Sequence, residues 1–242
     1  MGIAGGPYVI RDSSLVLDLD ASDKNSYVSG STTWNDLSGN NNTGSFLVTG
    51  SNAVSASYNS SNNGNIVFSG TGSYVDCGNP TTLTSVNNVS VNVWFKINAV
   101  AATYQGIVNK RASNNITNYG INFNNSLFQW YYNVIGAGNF RICSVSFPTY
   151  FTIGSWYNVC GTFAANGANT NAVLYQNGVA IATTNGLVGN ISSTTANLTI
   201  GNDSANEPFN GSAANVQVYN RTLSATEVLQ NYNALKSRFN LT

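Results

Sequence analysis

Catalysis, metal binding and sugar binding each require particular side chains, and this sequence offers few for the first two. Its 242 residues contain no histidine, two glutamates (Glu207, Glu227) and seven aspartates. Without imidazole there is no Ser-His-Asp or Cys-His nucleophile system and no His-ligated zinc. Glycoside hydrolysis needs two carboxyls about 5–5.5 Å apart for retention, or about 6.5–9.5 Å apart for inversion. Glu227 sits in Ser224-Ala225-Thr226-Glu227, a capping-box pattern that commits it to a helix start. Glu207, next to Pro208, reads as a solvated turn residue. Asp18 and Asp20 share one face of a strand, but no glutamate joins them. No catalytic residue is assigned, and the chain is not expected to be an enzyme.

Sugar binding asks for exposed aromatic faces and neutral hydrogen-bonding groups. The sequence is rich in both, with four Trp, thirteen Tyr and many Asn. Trp34, Tyr104 and Tyr119 are the loop candidates. In Phe128-Gln129-Trp130-Tyr131-Tyr132, alternation sends Phe128, Trp130 and Tyr132 inward, so that Tyr131 faces out on a concave sheet. The competing use of all these rings is core filling. Cys77, Cys143 and Cys160 show no CxxC spacing and read as small buried apolar residues; a Cys143–Cys160 disulfide stays open.

Nine basic and nine acidic residues cancel, and only 7% of positions are charged. That removes the electrostatic term on which nucleic-acid binding depends. No apolar run of about 18 residues exists for a membrane-spanning helix, and the start, MGIAGGPYVIRDSS, has no secretion-signal pattern.

The elements that must position these residues are strands. Leu15, Leu17 and Leu19 alternate with Val16, Asp18 and Asp20, and Val89, Val91, Val93 and Phe95 with Ser90, Asn92 and Trp94. Ala172, Leu174 and Gln176 alternate with Val173 and Tyr175 before Asn177-Gly178, the signature of a type I′ hairpin into Val179-Ala180-Ile181-Ala182. After the capping box, Val228, Leu229, Tyr232, Leu235 and Phe239 recur at helical spacing. The expectation is an all-β antiparallel sandwich with one short C-terminal helix. Residues 1–12 form a glycine-rich arm suited to docking, and residues 13–242 form one domain.

Several segments, in order, resemble laminin-G-like domains of the concanavalin A-like lectin/glucanase superfamily. They are Leu15-Val16-Leu17-Asp18-Leu19-Asp20-Ala21-Ser22, Thr33-Trp34-Asn35-Asp36-Leu37-Ser38-Gly39-Asn40, Val67-Phe68-Ser69-Gly70, Tyr74-Val75-Asp76-Cys77-Gly78 and Val89 to Lys96. Trp156-Tyr157-Asn158-Val159, Leu198-Thr199-Ile200-Gly201, and Phe209-Asn210-Gly211 with Val216 through Ser224 complete the series. The resemblance implies a jelly roll of two curved antiparallel sheets. It also implies one structural calcium between the first and last strands, with Asp18 or Asp20 as the early ligand and Asn215 at the place of the usual acid. The glycosidases of this superfamily carry an E-x-D-x-x-E strand, which is absent here. The N-terminal third is also similar to surface proteins of tailed bacteriophages. That similarity implies a head decoration or fibre subunit on the virion surface, docked through the arm to other virion proteins, as a homo-oligomer, with host glycan as ligand. A free-standing carbohydrate-binding module is the alternative, and a glycoside hydrolase a distant third.

Overall fold

The computed structural model describes residues 8–113, 116–135, 140–166, 169–187, 189–202 and 206–242. The first half of the chain supplies β1 (Leu15–Asp20), β2 (Thr33–Trp34), β3 (Gly44–Val48), β4 (Ser57–Asn59), β5 (Asn65–Ser69), β6 (Ser73–Asp76), β7 (Asn88–Ile97) and β8 (Gln105–Ser113). Then come β9 (Ile116–Phe123), β10 (Leu127–Asn133), β11 (Phe140–Ser146) and the single helical turn α1 (Phe147–Tyr150). The last third holds β12 (Trp156–Asn166), β13 (Asn169–Gln176), β14 (Val179–Leu187), β15 (Leu198–Ile200), β16 (Asn210–Tyr219) and helix α2 (Ala225–Leu235).

The strands form two antiparallel sheets, and the jelly-roll sandwich expected from the sequence is present. Sheet A runs β14-β13-β12-β7-β16-β5-β4, and sheet B runs β11-β10-β9-β8-β15-β6-β3-β2. Strand β1 pairs with the C-terminal half of β16 from Leu15↔Tyr219 to Asp20↔Asn215, while β5 takes the other half. Between the sheets lies one apolar core, which includes Val91, Val93 and Phe95 of β7 and Phe128, Trp130 and Tyr132 of β10. The alternation read from the sequence thus places these rings correctly. It fails at β1, where a bulge shifts the register between Leu15 and Leu17. Val16 therefore joins Leu17 and Leu19 in the main core, and Leu15 turns to the opposite side beside Tyr219 and Val228.

Asn177 (φ 50°) and Gly178 (φ 80°) make the expected hairpin turn. The capping box is formed as well: Ser224 accepts from the Glu227 N–H, and the Glu227 carboxylate accepts from the Ser224 N–H. Helix α2 and the one 3-10 turn after it cover the outer face of sheet A. Phe239 stacks on Trp94 at 4.3 Å between centroids, with Tyr232 on the same indole at 5.7 Å. Among the described residues, no helix is long and apolar enough to cross a membrane. The three cysteines are free and buried.

Residues 1–7 of the expected arm lie outside the described residues. Residues 8–11 lie along α2. Ile10 N–H donates to Asn231 Oδ1 (2.7 Å), Tyr219 Oη–H to the Ile10 carbonyl (2.9 Å), and Gln230 Nε2–H to the Tyr8 carbonyl (2.9 Å).

Candidate functional site

On sheet A, the ligands expected for calcium do come together, because β1 pairs with β16 and places Asp20 opposite Asn215. Their partners, however, are donors. Arg11 meets Asp18 Oδ2 at 2.8 Å, and the side-chain amides of Asn215 and Gln217 both donate to Asp18 Oδ1 (3.3 Å each). Burial pushes the Asp18 carboxyl up, and Arg11 opposes that shift. Asp20 Oδ1 accepts from Arg238 (2.7 Å) and from the Ser22 hydroxyl and N–H (2.8 Å each). Calcium wants about six to eight oxygens. Asp18 Oδ2 faces Arg11, and the amide oxygens left without a hydrogen bond in this buried row, Asn215 Oδ1 and Asn158 Oδ1, fall far short of that. Two guanidiniums supply the positive charge instead, so Asp18, Asp20 and Asn215 do not fit a calcium site. Among the described residues no group of three His, Cys, Asp or Glu side chains could hold a metal.

The predicted sugar-contacting rings are mostly buried. Trp34 lies in β2 at 0% exposure and Tyr119 in β9 at 0%, both strand residues rather than loop residues. Tyr119 Oη–H donates to the Leu83 carbonyl at 2.7 Å, the rim satisfaction typical of a core tyrosine. Tyr131 does point away from the main core, yet it is 2% exposed. The reason is its cross-strand neighbour Gly120, where a Cβ would stand 2.4 Å from the phenol. With no side chain there, Tyr131 lies flat, its hydroxyl donates to Asn109 Oδ1 (2.5 Å), and the Arg111 guanidinium covers its ring at 5.8 Å. Of the four, only Tyr104, just before β8, keeps partial exposure.

Register places a different set of residues on the outer face of sheet B. Ser45 of β3 pairs with Asp76 of β6, Asp76 with Thr199 of β15, Thr199 with Asn109 of β8, Asn109 with Gly120 of β9, and Gly120 with Tyr131 of β10. Paired residues share a face, so this is one polar row across the sheet. Leu47 and Tyr74 are paired one step along. Above the row is a cleft of about 340 Å³ lined by Tyr74, Asp76, Arg111, Asn197, Thr199 and Asn202, among others.

The polar groups in the cleft are held in place. Asp76 Oδ1 accepts from Gly78 N–H (2.8 Å), which secures the turn after β6, and Oδ2 accepts from Asn197 Nδ2–H (2.9 Å). Arg111 pairs with Glu207 at 3.2 Å. Glu207 is therefore a half-buried ion-pair partner and not the solvated turn residue expected from the sequence. Burial, with Asp76 beside it, pushes the Tyr74 phenol up, so it remains a neutral hydroxyl. The cleft thus combines a half-buried ring, a hydrogen-bonded carboxylate and several amides and hydroxyls. That combination suits a polyol with an apolar face. The sequence reads Asp76 as a strand-ending residue that stabilises its turn, which the Gly78 bond bears out; it does not mark Tyr74 and Asp76 as a cleft, although the alternation Ser73-Tyr74-Val75-Asp76 puts both on one face.

A family model described as the concanavalin A-like lectin/glucanases superfamily, of laminin-G type, matches residues 68–229. No curated protein matches the sequence. Among solved structures, the receptor-binding domain of botulinum neurotoxin C/D mosaic serotype superposes with a TM-score of 0.68 at 18% identity, over 90% of this chain and 51% of that one. The binding domain of Paraclostridial Mosquitocidal Protein 1 gives 0.66 at 16%, over 91% and 52%. The receptor-binding domain of botulinum neurotoxin type G gives 0.63 at 15%, over 90% and 51%. The chain thus spans about half the length of each of these domains, and at such identities the likeness is one of fold.

Proposed function

The chain belongs to the laminin-G-like part of the concanavalin A-like lectin/glucanases superfamily, and on that premise we propose that it is a non-catalytic, glycan-binding adhesion domain. One observation carries this reading: over β3, β6 and β15 the outer face of sheet B bears a cleft whose lining pairs Tyr74 with Asp76, Asn197 and Thr199. Hydrolysis is disfavoured because, among the described residues, the two nearby carboxylates are already committed. Asp76 accepts from Gly78 and Asn197, and Glu207 is tied to Arg111. Neither is free to serve as a proton-donating acid opposite a second carboxylate.

The test is binding of the purified chain to an immobilised glycan panel, alongside Tyr74→Ala. Selective binding that drops about tenfold or more in the variant supports the cleft as the site. Binding to nothing on the panel overturns the reading, and release of reducing ends from a bound glycan overturns the non-catalytic part.

The wider setting we infer is the surface of a tailed-phage particle, with the domain as decoration or fibre subunit, oligomeric and docked through its N-terminal arm. The similarity of the N-terminal third supports this, as does a near-neutral surface with few charges. Mass spectrometry of purified particles tests it; absence of the chain from them would overturn it.

A further inference from the structure

The cleft is one half of a longer groove. A second hollow of about 420 Å³ lies beside it, lined by Thr43, Ser45, Leu47 and Gly78, and it shares Asp76 and Asn197 with the first. The two hollows meet at the Asp76 Oδ2–Asn197 Nδ2 hydrogen bond, a polar bridge with space on either side. Each hollow has its own apolar surface. Tyr74 serves the first, and its cross-strand partner Leu47, 42% exposed, serves the second.

The charges at the groove are unequal. Arg111 is already paired with Glu207, and its side chain is only 9% exposed. The neighbouring Lys110 is fully buried, and its Nζ donates to Asn79 Oδ1 (2.6 Å) and the Ala196 carbonyl (2.7 Å). The protein itself has thus used both cations of this strand. Asp76 has amide donors but, among the described residues, no cationic partner. Among the described residues the two cations of this strand formally balance Glu207 and Asp76, but Lys110 is buried on two neutral oxygens and Arg111 is held by Glu207, so Asp76 is the carboxylate that lines both hollows. A sulfate or carboxylate on a ligand would meet the Asp76 charge there, and among the described residues both bases of the strand are already engaged.

Resting on the glycan-binding reading, the geometry points to a neutral oligosaccharide of two or more rings as the ligand. It lies across the Asp76–Asn197 bridge with one ring against Tyr74 and the next against Leu47. The bridge acts as an acceptor and donor pair for hydroxyls near the linkage, and the Asp76 charge excludes acidic chains.

Titration calorimetry on the full chain tests this. The probes are malto-, cello- and manno-oligosaccharides of one to six residues, with hyaluronan and heparin fragments of matched length. The expected result is about tenfold tighter binding of the preferred disaccharide or trisaccharide than of its monosaccharide, and acidic fragments weaker again by about tenfold. Asp76→Asn removes the charge and keeps one oxygen for the Gly78 N–H, while the other position becomes an NH2 that no longer accepts from Asn197; it should narrow the neutral-to-acidic gap at least about threefold. Leu47→Ala should erase the gain from the second ring, and an unchanged gain would overturn the inference. Thermal melting confirms that both variants fold. Equal affinity for monosaccharide and oligosaccharide, equal affinity for acidic fragments, or an unchanged gap in Asp76→Asn would each overturn the inference while leaving glycan binding intact. Failure of every glycan to bind would overturn both.

Discussion

The two outer faces of the sandwich carry similar residues and put them to opposite uses. Both present a row of amides, hydroxyls and aromatic rings. On sheet A the row is sealed. Asn158 Nδ2 donates to Asn92 Oδ1, Asn92 Nδ2 to Gln217 Oε1, and Gln217 Nε2 to Asp18 Oδ1, with all four side chains buried. Helix α2, Arg11 and the stacked Trp94, Tyr232 and Phe239 close over that ladder. On sheet B, among the described residues, no helix lies above the row; its Asn109-to-Tyr131 end is buried, with Arg111 over the Tyr131 ring, and its Ser45-to-Thr199 end stays partly open. Polar side chains on a sheet surface therefore do not announce a binding site; whether a second layer pays their desolvation decides it.

The comparison breaks first where the covering layer is thickest. Trp94→Ala removes a fully buried indole from under α2 and should cost about 3–5 kcal/mol in urea unfolding. A loss under about 1 kcal/mol would mean that the helix is not held by this stack. Arg11→Ala leaves Asp18 without its cation. Because Arg11 is itself 53% exposed, the expected cost is nearer about 1–2 kcal/mol than the value for a fully buried pair. Adding Asp18→Asn should recover part of it. In the wild type, chelator should leave the melting temperature unchanged, since guanidiniums hold the place expected for calcium.

Smaller still is the cap. Arg221 grips both oxygens of Glu227 at 2.9 and 2.7 Å and holds its carboxyl down at about 2. Stability from this pair is complete above the ordinary glutamate pKa and fades as pH falls from there toward 2. Glu227→Gln should cost about 1 kcal/mol at neutral pH, and the gap from wild type should close over that acid window. Tyr74→Ala, on the open face, should change stability least, by under about 1 kcal/mol, while removing glycan binding. A large loss of stability there would make Tyr74 a structural residue and weaken the contrast between the faces.

The strands were legible in the sequence because period-two alternation is a local property. The hairpin and the cap were equally plain, since Asn177-Gly178 and Ser224 to Glu227 each act within four residues. The β1 bulge was not, because its register is set by β16 some two hundred residues away. The cleft was hidden for the same reason: Asp76, Thr199 and Asn109 become neighbours only through strand order. Tyr131 shows the sharper limit. Alternation gave its side of the sheet correctly, but a missing side chain at Gly120 let it lie down and be covered. Trp34 and Tyr119 failed differently, as strand residues taken for loop residues.

The pairing of β1 with β16 also constrains how the chain is made. Asp18 finds its amide donors at Asn215 and Gln217, 197 and 199 positions later, and Ile10 finds Asn231 after 221. During synthesis, β1 must wait until β16 has been made, with its hydrogen-bonding edge unmatched. Closure of contacts this distant is slow, and an unpaired edge is a route to association with other nascent chains. An acidic strand, LVLDLD, is a safer segment to leave waiting than an uncharged one, because its two aspartates repel a second copy until Arg11 and Arg238 neutralise them in the finished domain.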